Sequence, residues 1–170
     1  SSLFKDSVGE VIASPLLTVQ SCFDAPGKAP YTADGFVAPS LELLSAGKLA
    51  CLIPSLYGSR KTGVPHQACA SGWSIVPGDT ALTDMVSGIS RGAMVNRLSM
   101  GSPGPNGDFS GVIKNSFMIE QGAVTDALSE TMIAGNMATM LMEVSAVSAE
   151  HLDFGGQDFP WLKIEGLYFS

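Results

Sequence analysis

The stretch from Phe109 to Asn136 constrains the fold most, because its composition predicts a run of strands. The sequence FSGVIKNSFMIEQGAVTDALSETMIAGN holds several short segments rich in β-branched and aromatic residues, which are typical of strands. Gly122 tolerates a positive φ and therefore suits a hairpin turn between two of these segments. The stretch predicts a β-meander, whose apolar face other elements of the fold must cover.

Two further segments show helical spacing. The first follows Asp79 and Thr80, either of which is placed to cap a first turn, and its apolar residues are Leu82, Met85, Val86, Ile89 and Ala93. The second follows Asn136 as a candidate N-cap, and its apolar residues are Met137, Met140, Leu141, Val144 and Val147. The methionines of the second segment favour core packing over an adaptable binding surface. We therefore predict an α+β fold, mostly antiparallel β-sheet with two packed helices at about 80–97 and 137–147.

Glycines and prolines divide the rest of the chain into short elements. Two strands joined by a turn at Gly47 are predicted within 41–56, and a short strand ending at Pro77 is predicted from about residue 72. The segment YGSRKTGVPHQ, residues 57–67, is predicted to be an exposed connection. No linker long enough to divide the chain is present, so residues 1–170 are predicted to form a single domain. Because the first residues already look like the middle of a fold, we expect a fragment of a longer chain.

Composition argues against two classes of partner. Sixteen acidic and nine basic residues give a net charge of −7, and the longest basic run is Arg60-Lys61. Such a chain repels the phosphate backbone of nucleic acids. No apolar run approaches the roughly 18 residues that a membrane-spanning helix needs. We expect neither nucleic acid nor membrane as a partner, and the low charged fraction of 15% favours a piece of something larger.

Motifs for catalysis or metal binding are missing. His66 and His151 are too distant in sequence to share one helical face, as the two histidines of an HExxH helix do. The chain contains no GxSxG element, and its Gly-rich segment lacks the GK[ST] ending of a phosphate-binding loop. Three irregularly spaced cysteines, Cys22, Cys51 and Cys69, predict inert free thiols in a reducing compartment. We predict no catalytic and no metal-binding residue in this chain.

The segment SPGPNGDFSG, residues 102–111, has the composition of a turn that leads into a strand. Asn106 and Gly107 permit a positive φ, and Asp108 can accept a hydrogen bond from a nearby backbone N–H. Phe109 then enters the core as the strand begins. From the residues alone, a structural turn is favoured over a catalytic loop.

Three short motifs carry a resemblance to a known family. NGDFS at 106–110, IEQG at 119–122 and IAGN at 133–136 resemble the C-terminal region of the TldD/PmbA family, and TADGF and AGKLACLIPSLYGSRKTG follow the family's order upstream. The resemblance extends from about Val11 to the C-terminus. It implies a structural signature made of Gly107, Phe109, Gly122, Gly135 and Asn136. It also implies candidates for substrate or subunit contact, which are Asn106, Asp108 and Ser110.

The family resemblance implies a cytoplasmic zinc-peptidase complex that processes or degrades peptides. In that family TldD-type subunits carry an HExxxH motif, and PmbA-type (TldE) subunits lack it. This chain has no HExxxH, and its segment DFGGQDFP places Phe154 where metal-binding members carry a cysteine. The implied assignment is therefore the C-terminal domain of a PmbA/TldE-like subunit without a cofactor of its own. Zinc is expected in a TldD-type partner, although a homodimer is the other implied assembly.

Two alternatives to this assignment stay open. The first is an interaction or scaffold domain without a proteolytic role, which the low charge and a mean hydropathy of +0.26 favour. The second is part of an active metallopeptidase whose HExxxH lies upstream of residue 1. The family's label as a modulator of DNA gyrase gives no reason to expect DNA binding, because an acidic chain without a basic patch cannot hold DNA.

Overall fold

The computed structural model describes residues 3–32, 34–129, 131–155 and 157–170. The chain divides into two compact units. Unit 1 consists of residues 1–3, 78–150 and 161–170, and unit 2 consists of residues 4–77 and 151–160. The single domain predicted for residues 1–170 stays a prediction.

Strands dominate both units, which confirms the α+β prediction. The strands of the described residues are β1 (Val19–Ser21), β2 (Glu42–Ser45), β3 (Lys48–Leu49), β4 (Trp73–Ile75), β5 (Arg91–Met94), β6 (Arg97–Met100), β7 (Asp108–Lys114), β8 (Ser116–Glu120), β9 (Ala123–Leu128), β10 (Met132–Asn136), β11 (Val144–Asp153), β12 (Asp158–Ile164) and β13 (Tyr168–Phe169). The helices are α1 (Leu56–Thr62), α2 (Leu82–Ser87) and α3 (Met137–Met142). Among the described residues, no helix is long and apolar enough to cross a membrane.

Unit 2 contains a sheet in the order β12-β4-β1-β2-β3. The pairs among β1 to β4 are antiparallel, whereas β12 joins β4 in parallel through Asp158 and Ser74. Phe23, only 1% exposed, meets Trp73 edge to face with ring centroids 5.2 Å apart. This contact joins the segment after β1 to β4 in the core of the unit, which also buries Leu17, Leu44 and Leu49.

The predicted turn at Gly47 is present between β2 and β3. Ala46 and Gly47 have φ values of 45° and 78°, the two positive values of a type I′ hairpin turn. The Gly47 carbonyl accepts the backbone N–H groups of Ile12 and Ala13 at 2.9 and 3.1 Å. A Cβ at Gly47 would lie 2.3 Å from the Ala13 carbonyl oxygen. The turn therefore packs backbone against backbone, which only glycine allows.

Unit 1 contains two antiparallel sheets, ordered β13-β10-β7-β6 and β5-β8-β9. The meander predicted from Phe109 to Asn136 is therefore wrong as a single sheet, because the consecutive strands β7 and β8 belong to different sheets. The chain changes sheet at Asn115, whose left-handed φ of 49° ends the extended backbone of β7. The hairpin predicted at Gly122 is present, since Gln121 and Gly122 connect β8 to β9 with φ values of 50° and 78°.

One core cluster of unit 1 packs against the four-stranded sheet. Its buried members are Phe109, Ile113 and Ile133, on the inward face of β7 and β10. Met137 and Met140 of α3 pack against this cluster, so the core-packing interpretation of the methionine stripe is confirmed. Leu167, which directly precedes β13 in the sequence, also packs against this cluster.

The first predicted helix, at about 80–97, is much shorter in the structure. α2 ends at Ser87 with Gly88 as its C-cap, and Arg91 to Met94 form β5, which pairs with β8. The N-cap position is Ala81 and not Asp79 or Thr80, and no side chain caps the helix from that position. The backbone N–H of Leu82 instead donates to the Glu150 carboxylate at 2.8 Å. Strand pairing has overridden the local helical spacing in the second half of this segment.

The second predicted helix, at about 137–147, is also too long. α3 begins after the predicted N-cap Asn136 and ends at Met142, with Glu143 as its C-cap. Val144 and Val147 are buried as members of β11. Their spacing fits a helix, but β-branched side chains are better accommodated by a strand.

The predicted connection at 57–67 contains the short helix α1. Ser55 accepts a hydrogen bond from the backbone N–H of Gly58 at 3.1 Å, and Gly63 ends the helix in a left-handed conformation with φ of 76°. The serine and the glycine are the N-cap and C′ signals of a helix. No residue of α1 is buried, which is why the apolar spacing did not reveal it.

The close approach at Gly47 predicts a strong response to a single methyl group. We expect Gly47→Ala to lower the free energy of unfolding by about 3 kcal/mol or more, because left-handed strain adds to a collision with the Ala13 carbonyl. Gly27→Ala is the matched control, since Gly27 has φ of 81° but open space around its Cβ position. We expect the control to lose only about 1 kcal/mol. Equal losses in urea denaturation would contradict the packing argument.

Candidate functional site

A tight turn in unit 1 places Asn106 and Asp108 side by side. The backbone N–H of Gly107 donates to the Gly104 carbonyl at 2.9 Å, and that of Gly104 donates to the Asp108 carbonyl at 2.8 Å. Gly107 has φ of 89°, as its place in a turn requires. A Cβ at Gly107 would lie 3.3 Å from the amide group of Asn136. The turn therefore needs glycine both for its backbone and for the approach of Asn136.

The carboxylate of Asp108 is held by two side-chain amides. The Nδ2 of Asn106 donates to the Oδ2 of Asp108 at 2.6 Å, and the Nδ2 of Asn136 donates to the Oδ1 of Asp108 at 2.8 Å. The backbone N–H of Asp108 in turn donates to the Oδ1 of Asn106 at 3.3 Å. Hydrogen bonds to an ionised group are shorter and stronger than neutral ones. The carboxylate is therefore fixed in one orientation.

Asn136 connects this carboxylate to α3. Its Oδ1 caps the helix by accepting the backbone N–H groups of Ala138 and Thr139 at 3.0 and 3.3 Å. Its Nδ2 donates to the Asn106 carbonyl at 3.0 Å as well as to Asp108. Asn136 also lies opposite Asp108 in the register of β10 and β7. One side chain therefore joins a turn, a strand pair and a helix.

An open depression of about 400 Å³ lies beside the turn. The described residues that line it are Gly101, Ser102, Asp108, Phe109 and Ser110. Asp108, Ser102 and Ser110 are exposed, so the depression offers a carboxylate and two hydroxyl groups to a ligand. Histidine, cysteine and lysine are absent from this lining. The arrangement is suited to binding a ligand through hydrogen bonds.

Of the candidate contact residues, Asp108 and Ser110 line this depression, whereas Asn106 is joined to it through its hydrogen bond to Asp108. Their role in contacting a substrate or a subunit stays a prediction. The sequence analysis did not include Gly101 and Ser102, which precede the turn. Ser102 begins the Gly- and Pro-rich segment and Gly101 precedes it, and this position was the available signal, because turns bring such residues close together.

The proposed signature residues occupy structural positions. Phe109 is 8% exposed in the core. A Cβ at Gly135 would lie 3.2 Å from the Phe109 ring and 2.9 Å from Leu167, and one at Gly122 would lie 2.6 Å from the Ser87 carbonyl oxygen. The predicted cap at Asn136 is present. Close packing therefore explains why glycine occupies positions 122 and 135. Gly122 belongs to the turn of the three-stranded sheet, whereas Asp108 belongs to the four-stranded sheet.

The described residues do not fit a zinc ion. The His66 ring stacks at a tilt on Phe36 with centroids 5.0 Å apart. The Nε2 of His151 lies 3.8 Å from the Oδ1 of Asp158. In the described part of the chain, no three His, Cys, Asp or Glu side chains are grouped so that they could hold a metal. Phe154 stands where the family resemblance places a cysteine ligand. Its side chain is 64% exposed and has no atom that can coordinate a metal.

The three cysteines are not joined by a disulfide bond in the described part of the chain, and their exposure is intermediate. Burial is the main cause that raises the pKa of Cys22, Cys51 and Cys69 above the ordinary value for a thiol. A raised pKa keeps the thiol protonated and unreactive at neutral pH. This agrees with the prediction of inert cysteines.

Comparison with protein families identifies the chain. The family model described as the PmbA/TldA metallopeptidase C-terminal domain matches residues 1–170. The chain belongs to this family. The resemblance to the TldD/PmbA family that NGDFS, IEQG and IAGN carry is thereby confirmed, and residues 1–170 correspond to the C-terminal domain of this metallopeptidase-related family.

Individual relatives agree with the family. Metalloprotease PmbA of Escherichia coli O157:H7 is 24% identical over an alignment that covers 98% of this chain and 39% of PmbA. A protein of Bacteroides thetaiotaomicron whose structure is solved, described as a modulator of DNA gyrase, is 26% identical to this chain with a TM-score of 0.87. The match covers 99% of this chain and 40% of the Bacteroides chain. The chain therefore spans about two-fifths of the length of these family members.

Two more distant structures share the fold. Another protein described as a modulator of DNA gyrase, from Thermotoga maritima, has a TM-score of 0.85 at 19% identity, and TldE of Thermococcus kodakarensis has a TM-score of 0.82 at 23% identity. Each match covers 99% of this chain and 42% of the other protein's chain. At these identities the likeness shows the fold of the family domain alone.

The hydrogen bonds of Asn136 predict a loss of stability when its amide is removed. We expect Asn136→Ala to lower the free energy of unfolding by about 2 kcal/mol, because the N-cap of α3 and a donor to Asp108 are lost together. Asn136→Asp keeps the cap acceptor but faces Asp108 with a second carboxylate. The like charge raises the pKa of one carboxyl group, so this variant should regain stability as the pH falls.

The control for both variants is Asn96→Ala. Asn96 is exposed, and we expect its substitution to change stability by no more than about 0.5 kcal/mol. The measurement is urea denaturation between about pH 4 and pH 8. A stability of Asn136→Asp that does not depend on pH would contradict the contact with Asp108.

The raised thiol pKa values predict slow alkylation. At about pH 7.5 we expect iodoacetamide to modify the three cysteines more slowly than free cysteine, and the rate should keep rising above the pH at which free cysteine reaches its maximum. Because the folded state holds these protons more tightly than the unfolded state, stability should fall as the pH rises through the thiol range. A thiol that reacts faster than free cysteine near neutral pH would refute the inert assignment.

Proposed function

We propose that this domain belongs to a PmbA/TldE-like subunit of a cytoplasmic peptidase complex that processes or degrades peptides. In this proposal the subunit carries no catalytic metal, and a TldD-type partner with an HExxxH motif supplies the zinc. The family match over residues 1–170 and the name of the relative Metalloprotease PmbA support a place in peptide processing. The observation that supports the non-metal role is the donor set, because the described residues hold no group of three His, Cys, Asp or Glu side chains that could bind a metal ion.

The domain's contribution would then be binding. The oriented carboxylate of Asp108 can accept hydrogen bonds from backbone N–H groups, and the hydroxyl groups of Ser102 and Ser110 can donate or accept beside it. A depression of about 400 Å³ is large enough for a few residues of peptide or for a loop of a partner subunit. The proposed role is to position a polypeptide segment that is cut elsewhere.

An interaction domain without a proteolytic role is the second candidate. Apolar side chains on the outer face of the four-stranded sheet favour it, because Tyr168 is 80% and Met132 44% exposed. Exposed aromatic and methionine side chains are enriched at protein interfaces. Such a domain would bind a partner, but no peptide would be cut in its presence.

Zinc content and peptide cleavage separate these functions. The chain is measured alone and mixed with its HExxxH-bearing partner. We expect cleavage of a fluorogenic peptide only in the mixture, with zinc bound to the partner and none to this chain. Zinc and cleavage with the chain alone would overturn the proposal, and a stable mixture that cuts no peptide would favour the interaction domain.

Asp108→Asn tests the proposed binding role in the same mixture. We expect the KM for the peptide or the Kd for the partner to rise about tenfold while kcat stays unchanged. The substitution removes a charged hydrogen-bond acceptor and does not alter the metal site. Asp126→Asn on the exposed strand β9 removes the same charge and serves as the matched control. Thermal unfolding of both variants shows whether they are folded at the assay temperature. A lower kcat with unchanged KM would contradict a purely binding role.

A further inference from the structure

Two cationic side chains face each other on the outer side of the four-stranded sheet. Arg97 of β6 lies directly opposite Lys114 of β7 in the antiparallel register, and both residues are exposed. The neighbouring pair of Leu98 and Ile113 turns inward to the core. Side chains directly opposite in an antiparallel pair have Cβ atoms about 5 Å apart. Arg97 and Lys114 therefore place two positive charges next to each other.

This arrangement is unfavourable for the folded chain by itself. Like charges directly opposite on a sheet are destabilising, and in the same unit Arg91 lies opposite Glu120. Among the described residues, the ion pairs of lysine are Lys5 with Asp6 and Lys163 with Glu165, and neither Arg97 nor Lys114 has one. The chain has sixteen acidic but only nine basic residues. Two of those nine are nevertheless placed together, with no counter-charge paired to them in the described part of the chain.

We propose that Arg97 and Lys114 bind a carboxylate group. The planar guanidinium group of arginine matches a carboxylate with two parallel hydrogen bonds, and the lysine ammonium adds a second positive charge. The net charge of −7 repels polyanions, so a ligand with one localised negative charge is favoured over a nucleic acid.

The surroundings of the pair agree with a polypeptide ligand. The next outward pair along the two strands is Ser99 and Val112, which are uncharged and can lie against the neutral chain that carries the carboxylate. Asp108 lies at the opposite end of β7, six residues away and about 20 Å along the strand. The carboxylate site is therefore separate from the Asp108 depression and stands independently of the proposed function.

Titration of the 170-residue chain with small ligands tests the proposal. The probes are an acetylated trialanine with a free C-terminal carboxylate, its C-terminal amide, an amidated peptide with one glutamate, and inorganic phosphate. Backbone amide shifts of residues 97–99 and 112–115 are followed by NMR. We expect Kd values on the order of millimolar for the carboxylate peptides, and no saturable shift with the neutral amide.

The two carboxylate peptides identify the source of the group. Tighter binding of the free C-terminus assigns the site to chain ends, and tighter binding of the glutamate peptide assigns it to acidic side chains; either result supports the proposal. Tighter binding of phosphate than of both peptides would overturn the carboxylate assignment. Equal shifts with the neutral amide would overturn any role of the charge.

Substitutions separate binding from structure. We expect Arg97→Gln to weaken carboxylate binding at least tenfold without lowering the thermal stability of the free chain, and Arg91→Gln to leave binding unchanged. Lys114→Glu should abolish binding and raise the melting temperature, because it places opposite charges across the strands. A lower melting temperature for both Arg97→Gln and Lys114→Glu would overturn the proposal, since the pair would then serve the fold.

The chain's own carboxylate needs a separate control. Glu130, which lies outside the described residues, is close in sequence to the start of β10, the strand on the other side of β7. Binding that Glu130→Gln leaves unchanged supports an external ligand. Binding that appears only in Glu130→Gln would overturn the proposal, because the chain would then supply the carboxylate itself.

Discussion

The contact between Asn136 and Asp108 is the interaction on which the described part of unit 1 depends. The amide of Asn136 donates to Asp108 at 2.8 Å and its oxygen caps α3, so one side chain links two strands, a turn and a helix. Removing it leaves an ionised acceptor with one donor fewer and the helix without a cap. Gly107 and Gly135 are small because this arrangement brings Asn136 and Phe109 close to the backbone.

The same contact limits the chemistry of the depression. Each carboxylate oxygen of Asp108 already accepts a side-chain amide, and Asp108 is the one carboxylate among the described lining residues. A carboxylate held in this way is well suited to accept a further hydrogen bond, whereas proton transfer would require these bonds to be rearranged. The geometry therefore agrees with a domain that positions a polypeptide, in a family whose described relatives include a metalloprotease.

Local signals in the sequence predicted the local features of the fold. The turns at Gly47 and Gly122 and the cap at Asn136 depend on neighbouring residues, and all three are present. The helices were predicted too long because pairing of β5 with β8, and burial of Val144 in β11, outweigh helical spacing. The contact of Asp108 with Asn136 joins residues 28 positions apart. Only the register of β7 and β10 creates it, and a single sequence does not contain that register.

A double-mutant cycle between Asp108 and Asn136 tests the central claim most directly. The free energies of unfolding of Asp108→Ala, Asn136→Ala and the double variant are compared with that of the unchanged chain. If the two side chains form one unit, their coupling energy is about 1–3 kcal/mol, and the double variant loses less than the sum of the single losses. A coupling energy below about 0.3 kcal/mol would mean that the two residues act independently, and the account of this site would be wrong.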